Sequence, residues 1–155
     1  MSITISYRHL HRQLPGILGM LKAAVLSGNP LTLAALEAAL THLHTEANYA
    51  HMLAIAALLQ DGLLKRLHAA HRPWTVTRLG ARLELQFMPR TPRQAQDVRE
   101  HAQGALESFT HLFMLNRGVL LTPFHCMMLA SPATTPADVE RLLSVFDELL
   151  TALAT

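Results

Sequence analysis

At 155 residues, half of them hydrophobic, the chain is long enough for one domain with a substantial core. Its 13 Lys and Arg against 11 Asp and Glu leave a formal charge of +2, and the arginines are scattered from Arg8 to Arg141, which excludes the clustered basic face of a nucleic-acid binder. The lone Cys126 excludes an internal disulfide framework and points to a reducing compartment, the cytoplasm by default, while Gln60, Asp61 and Lys65 interrupt the longest apolar run and exclude a membrane span.

The first acid is Glu37, and the opening stretch carries Arg8, Arg12 and Lys22 as a targeting segment would. Lys22 breaks its one apolar stretch, which argues against a cleaved signal. Asn29-Pro30 then reads as an N-cap and first helical residue. Leu33, Leu36, Leu40 and Leu43 recur at helical spacing and predict a helix over 30–44. After a break near Thr45, a second stripe of Tyr49, Met52, Leu53, Ala56, Leu59, Leu63 and Leu67 predicts a helix to about Ala70, despite Gly62.

The period then changes. Trp74 and Val76, and Leu83, Leu85 and Phe87, alternate with polar residues around Gly80, the pattern of a β-hairpin. Thr91-Pro92-Arg93-Gln94 has the form of a capping box opening a helix whose buried face is Val98, Ala102, Ala105, Leu106, Phe109, Leu112 and Phe113, ending at Asn116-Arg117-Gly118. Two short strands are predicted at Val119–Leu121 and Cys126–Leu129. Thr135-Pro136-Ala137-Asp138 opens the last helix, with Val139, Leu142, Leu143, Phe146, Leu149, Leu150 and Leu153 on its apolar side. The order predicts a two-layer α+β domain, helices packed on a small, mainly antiparallel sheet.

Several residues invite a chemical reading. His68 and His71, three apart on a helix, share a face and could hold a metal, although no further ligand joins them in the sequence, and the expectation is no metal site. His125 beside Cys126 suggests thiol chemistry, but adjacent strand residues point to opposite faces, so Cys126 reads as a small buried hydrophobe. Arg78 and Arg82 flank the hairpin turn, where salt bridges to Glu84 or contact with solvent are expected. The turn Ser27-Gly28-Asn29 stands before a helix whose unpaired N–H groups can bind an anion.

Three segments, VLSGNPLTLAALEAAL, PWTVTRLGARLELQF and NRGVLLTPFHCMMLASPATTPADVERLLSVF, together resemble the C-terminal part of class III pyridoxal-phosphate-dependent aminotransferases, on the glutamate-1-semialdehyde aminomutase-like branch. The match covers roughly Val25 to Leu153 and sets the domain at 23–155, while residues 1–22 match nothing and read as an N-terminal remnant of a large domain. The resemblance implies the small domain of a fold-type I enzyme, normally a homodimer, that acts on amino acids or amino-ketones. It also implies that Ser27, Gly28 and Asn29 reach across the dimer to the neighbouring subunit's cofactor phosphate.

The sequence departs from the family pattern in ways that bear on activity. Val25 stands where the family usually has threonine, and valine offers no hydroxyl to a phosphate; Cys126 stands where the branch often has asparagine. The family's Schiff-base lysine, the carboxylate on the pyridine nitrogen and the ring-stacking aromatic all precede this region and have no counterpart here. The two lysines, Lys22 and Lys65, do not sit at the family position. The expectation is a truncated or split aminotransferase domain with no catalytic residue of its own, inactive alone, covalent cofactor binding not expected, and partnered by a copy of itself or a complementary large-domain chain. The alternatives are a non-catalytic dimerisation or binding module of the same fold, and a metal-binding domain built on the histidines.

Overall fold

The computed structural model describes residues 29–123 and 125–154, and the chain divides into two compact units, 1–50 and 51–155. In the first, helix α1 (Pro30–Ala38) starts as predicted: the Asn29 side chain accepts a hydrogen bond from the Thr32 N–H at 2.9 Å, and proline fills the first turn. It winds on into a π-helical turn at Ala39–Leu43, closed by the His44 N–H on the Ala39 carbonyl. Thr45 then caps the next helix through the Asn48 N–H at 3.2 Å.

That helix, α2 (Glu46–Ala69), carries the long stripe of the second unit: Met52, Ile55, Ala56, Leu59, Leu63 and Leu67 are buried. Strands β1 (Thr75–Leu79) and β2 (Arg82–Gln86) form the predicted hairpin, with Gly80 at φ +63, a left-handed angle that favours glycine. Strand β3 (Met127–Leu129) adds antiparallel to β2, giving the order β1-β2-β3. The register places Val76, Leu85, Leu83 and Met128 together on one face, where all four are buried against the helices. The other face carries Thr77, Glu84 and Met127 in one row and Leu79, Arg82 and Leu129 in the next.

The last helix, α5 (Pro136–Ala152), opens with the predicted capping box: the Asp138 N–H donates to Thr135 Oγ1, and the Thr135 N–H donates to Asp138 Oδ2 at 2.8 Å. It buries Val139, Leu143, Val145, Phe146, Leu149 and Leu150 in the same core as α2 and the sheet. The α+β architecture with a small antiparallel sheet is therefore as the pattern predicts.

Two elements differ. The helix predicted from Thr91 is two helices, α3 (Ala95–Glu100) and α4 (Gly104–Leu115). The start lies three residues later than expected because Asp97, rather than Gln94, takes the amides: its Oδ2 accepts from the Arg93 N–H at 2.8 Å and the Gln94 N–H at 3.4 Å. At His101 and Ala102 the hydrogen bonds tighten to the residue three back, and Gly104 lends the junction little helix propensity. Breaking the helix resets its phase. Thr110 and Met114 are buried, with Leu106 and Phe113 beside the core, whereas Ala102, Ala105, Phe109 and Leu112 are exposed.

The second difference is at Val119–Leu121, which is loop rather than strand, although Val119 and Leu121 are buried. Cys126 likewise precedes β3, because His125 (φ 62) and Cys126 (φ 39) turn the chain in left-handed conformations. Thr122 closes that turn, its Oγ1 accepting the Met127 N–H at 3.0 Å.

Gly62 explains itself by packing. A Cβ there would lie 2.5 Å from Leu143 Cδ1, and Leu143 is buried in the core, so making room means repacking its neighbours. Gly62→Ala therefore lowers stability by about 1 kcal/mol, the overpacking strain exceeding the roughly 1 kcal/mol of helix propensity gained; urea unfolding checks it, and a more stable variant would refute it. The Thr135 hydroxyl and amide hold the Asp138 carboxyl below its ordinary value of 3.8. A depressed folded-state value means a contribution complete above 3.8 and lost as pH falls through the folded value, so Asp138→Asn flattens the acid side of the stability–pH curve measured by thermal melts.

Candidate functional site

The anion turn is reached by the structure at one end only. Ser27 and Gly28 lie outside the described residues, and Asn29 is the N-cap of α1. The donors of that first turn are largely engaged: proline has no N–H, the Thr32 N–H is on the Asn29 side chain, and the Leu33 N–H is on the Asn29 carbonyl at 3.1 Å.

His68 and His71 do not form a pair on one helix face. His68 lies within α2, whereas His71 lies beyond its end with φ 51, and both are exposed. Among the described residues no group of three or more His, Cys, Asp or Glu converges as a metal site. Lys65 is also exposed on α2, with no enclosed site around it.

The His125-Cys126 step gives two environments, as expected, though through a turn rather than a strand. The His125 side chain is half exposed, its Nδ1 3.5 Å from Glu84 Oε1, while Cys126 is fully buried. Burial, reinforced by the negative charges of Glu107 and Glu84, pushes the thiol up to about 12. This is a packed side chain, not a nucleophile at neutral pH. Arg82 meets Glu84 as expected, Nη2 to Oε2 at 3.1 Å, and Arg78 turns instead to Gln60 Oε1 at 2.9 Å.

Two features escaped the sequence reading. Glu84, Gln86, His101, Glu107 and His125 share the wall of a small cavity of about 30 Å³. The outward phase of Glu84 and Gln86 on β2 hinted at it, but the α3–α4 junction and the left-handed turn that complete it did not show in the pattern. The second is a groove of about 230 Å³ beside the open end of the sheet, floored by Ile55, Leu59, Val119, Val139 and Leu142. Its rim carries Leu120 and Leu129, both predicted only as members of short strands.

The described residues of the second unit form a small α+β domain, its helices on one face of a three-stranded antiparallel sheet. The fold is shared with an omega-transaminase from Sphaerobacter thermophilus, at TM-score 0.72 and 22% identity over 83% of this chain and 29% of that one. A glutamate-1-semialdehyde aminomutase variant from Pseudomonas aeruginosa, solved in complex with PMP, matches at TM-score 0.78 and 44% identity over 81% of this chain and 28% of that one. Glutamate-1-semialdehyde 2,1-aminomutase of Anaeromyxobacter dehalogenans is 37% identical over 125 residues, 79% of this chain and 28% of its own length. No family model matches the chain.

Over about four-fifths of its length, then, the chain is similar to the C-terminal part of class III aminotransferases of the glutamate-1-semialdehyde aminomutase-like branch. It spans 28% of the length of these aminomutases.

Because the Cys126 thiol ionises only near pH 12, iodoacetamide at pH 8 leaves it unmodified in the folded protein and labels it after denaturation. Mass spectrometry of the two samples checks this, and rapid native labelling would refute the packing.

Proposed function

We propose that this chain is the small-domain portion of a pyridoxal-phosphate-dependent aminotransferase or aminomutase acting on amino acids or amino-ketones, truncated or split from the catalytic part and inactive alone. The observation that carries it is the 44% identity and TM-score of 0.78 to the Pseudomonas aminomutase. Such a domain closes over a substrate held elsewhere, and it supplies shape and exclusion of water rather than covalent chemistry.

The described residues do not by themselves fit the cofactor. Lys65 is exposed, and the α1 turn spends most of its amides on its own cap. An electron sink needs an amine against the cofactor aldehyde and a partner for the ring nitrogen, and both belong to the large domain in this reading. Ser27, Gly28 and Asn29 keep the role of a phosphate turn for the neighbouring subunit. Asn29 contributes by fixing the start of α1, and the missing donors come from the Ser27-Gly28 side. The assembled protein is a cytoplasmic dimer built with a large-domain partner.

Reading the genomic DNA upstream of the Met1 codon in all three frames tests the proposal. A coding stretch for a lysine-bearing large domain, in frame or separate, is expected, and its absence overturns the catalytic reading in favour of a free-standing binding module. The chain alone, mixed with pyridoxal phosphate and reduced with borohydride, forms no stoichiometric adduct and shows no transaminase turnover. A single, fully modified lysine in the peptide map would overturn the expected lack of covalent cofactor binding, and measurable turnover would overturn the inactivity.

A further inference from the structure

Among the described residues no strand lies against the outer edge of β1, yet that edge is not bare. The Leu85 N–H donates to the Cys126 carbonyl at 3.4 Å, so Leu85 turns its backbone groups toward the β3 side. Its register partner Val76 therefore turns its own N–H and carbonyl away from β2, and Arg78, two residues on, does the same. Val76 and Arg78 are thus the residues of β1 through which another strand would pair.

Gln60 engages both. Its Nε2 donates to the Val76 carbonyl at 3.0 Å, and its Oε1 accepts from Arg78 Nε at 2.9 Å. It stands on α2 between the buried Leu59 and Leu63, so the core fixes the root of its side chain. A residue that only ties helix to sheet needs one such bond. Here one bond occupies an outward acceptor of the edge, and the other anchors the Arg78 guanidinium beside it, where a fixed positive charge deters an incoming strand.

The strand deterred is β1 of a second copy. Its Thr75-Val76-Thr77 run favours extended pairing. A two-fold axis through Thr77 sets Val76 of one copy opposite Arg78 of the other, so the outward groups of two identical edges match with no shift of register. We infer that Gln60, anchored by Arg78, is an autoinhibitory contact that keeps the β1 edge from pairing with the β1 edge of a second copy.

Sedimentation velocity on the full 155-residue chain over a range of concentrations supplies the baseline. Gln60→Ala, with unaltered circular dichroism, raises the self-association constant at least tenfold above it. Arg78→Ala, at an exposed position, raises it in the same direction by freeing Gln60 Oε1, and it decides the question if Gln60→Ala does not fold. Adding Arg78→Pro to Gln60→Ala returns association to the baseline. Proline there removes an outward N–H, which spares the β1–β2 ladder and blocks the edge. In the associated Gln60→Ala protein, the Val76 and Arg78 amides exchange hydrogen at least tenfold more slowly than in the parent.

Three results overturn the inference: folded variants that associate no more than the parent, association that persists with Arg78→Pro, or association in which the Val76 and Arg78 amides gain no protection. A lower melting temperature with association at the baseline is the first of these, and makes Gln60 a plain tie between helix and sheet.

Discussion

The close approach of α2 and α5 at Gly62 is the constraint on which the second unit rests. With no side chain at that position, Leu143 can lie directly against the α2 backbone. One turn further along, Arg66 Nε reaches Asp147 Oδ2 at 2.9 Å, so the same pair of helices is pinned at its surface as well. That ion pair is exposed and contributes little; the fit of Leu143 contributes through dispersion and apolar burial. Leu63, Leu67, Phe146 and Leu149 belong to one buried cluster with the inward side chains of the sheet.

A core organised in this way spends its apolar residues on one sheet face. Glu84 illustrates the consequence on the other face: it lies between Thr77 and Met127 in register, holds Arg82, and stands 3.5 Å from His125. Glu84 is thus held by neighbours on its own face, whereas Gln86 Oε1 is buried without a partner and the leucines at the end of the face stand exposed.

Much of this was legible in the sequence where a local rule and the tertiary context agree. Thr135-Pro136-Ala137-Asp138 announces α5 because both partners of its capping box are three residues apart and nothing else competes for them. Cys126 could be read as buried from its type alone. The α3–α4 break was not legible, because the apolar residues from Val98 to Phe113 keep a helical rhythm that continues across it. Only the Asp97 cap and the Gln103 side chain bonding the Phe87 carbonyl at 3.3 Å reveal two segments. Val119–Leu121 was misread for a related reason: two buried residues flanking an exposed one is also what a loop packed on a core looks like. The groove was invisible because periodicity reports which residues are apolar, and not which of them lack a partner.

The sheet's edges carry a consequence for how the chain meets other molecules. Strand β3 has three residues, and on the opposite edge Gln60 Nε2 donates to the Val76 carbonyl at 3.0 Å, occupying an acceptor that an incoming strand would use. Both borders are therefore poor templates for β-augmentation. Leucines exposed beside withheld strand edges leave side chains, and not backbone pairing, as the described surface open to contact, which disfavours open-ended polymerisation into fibres.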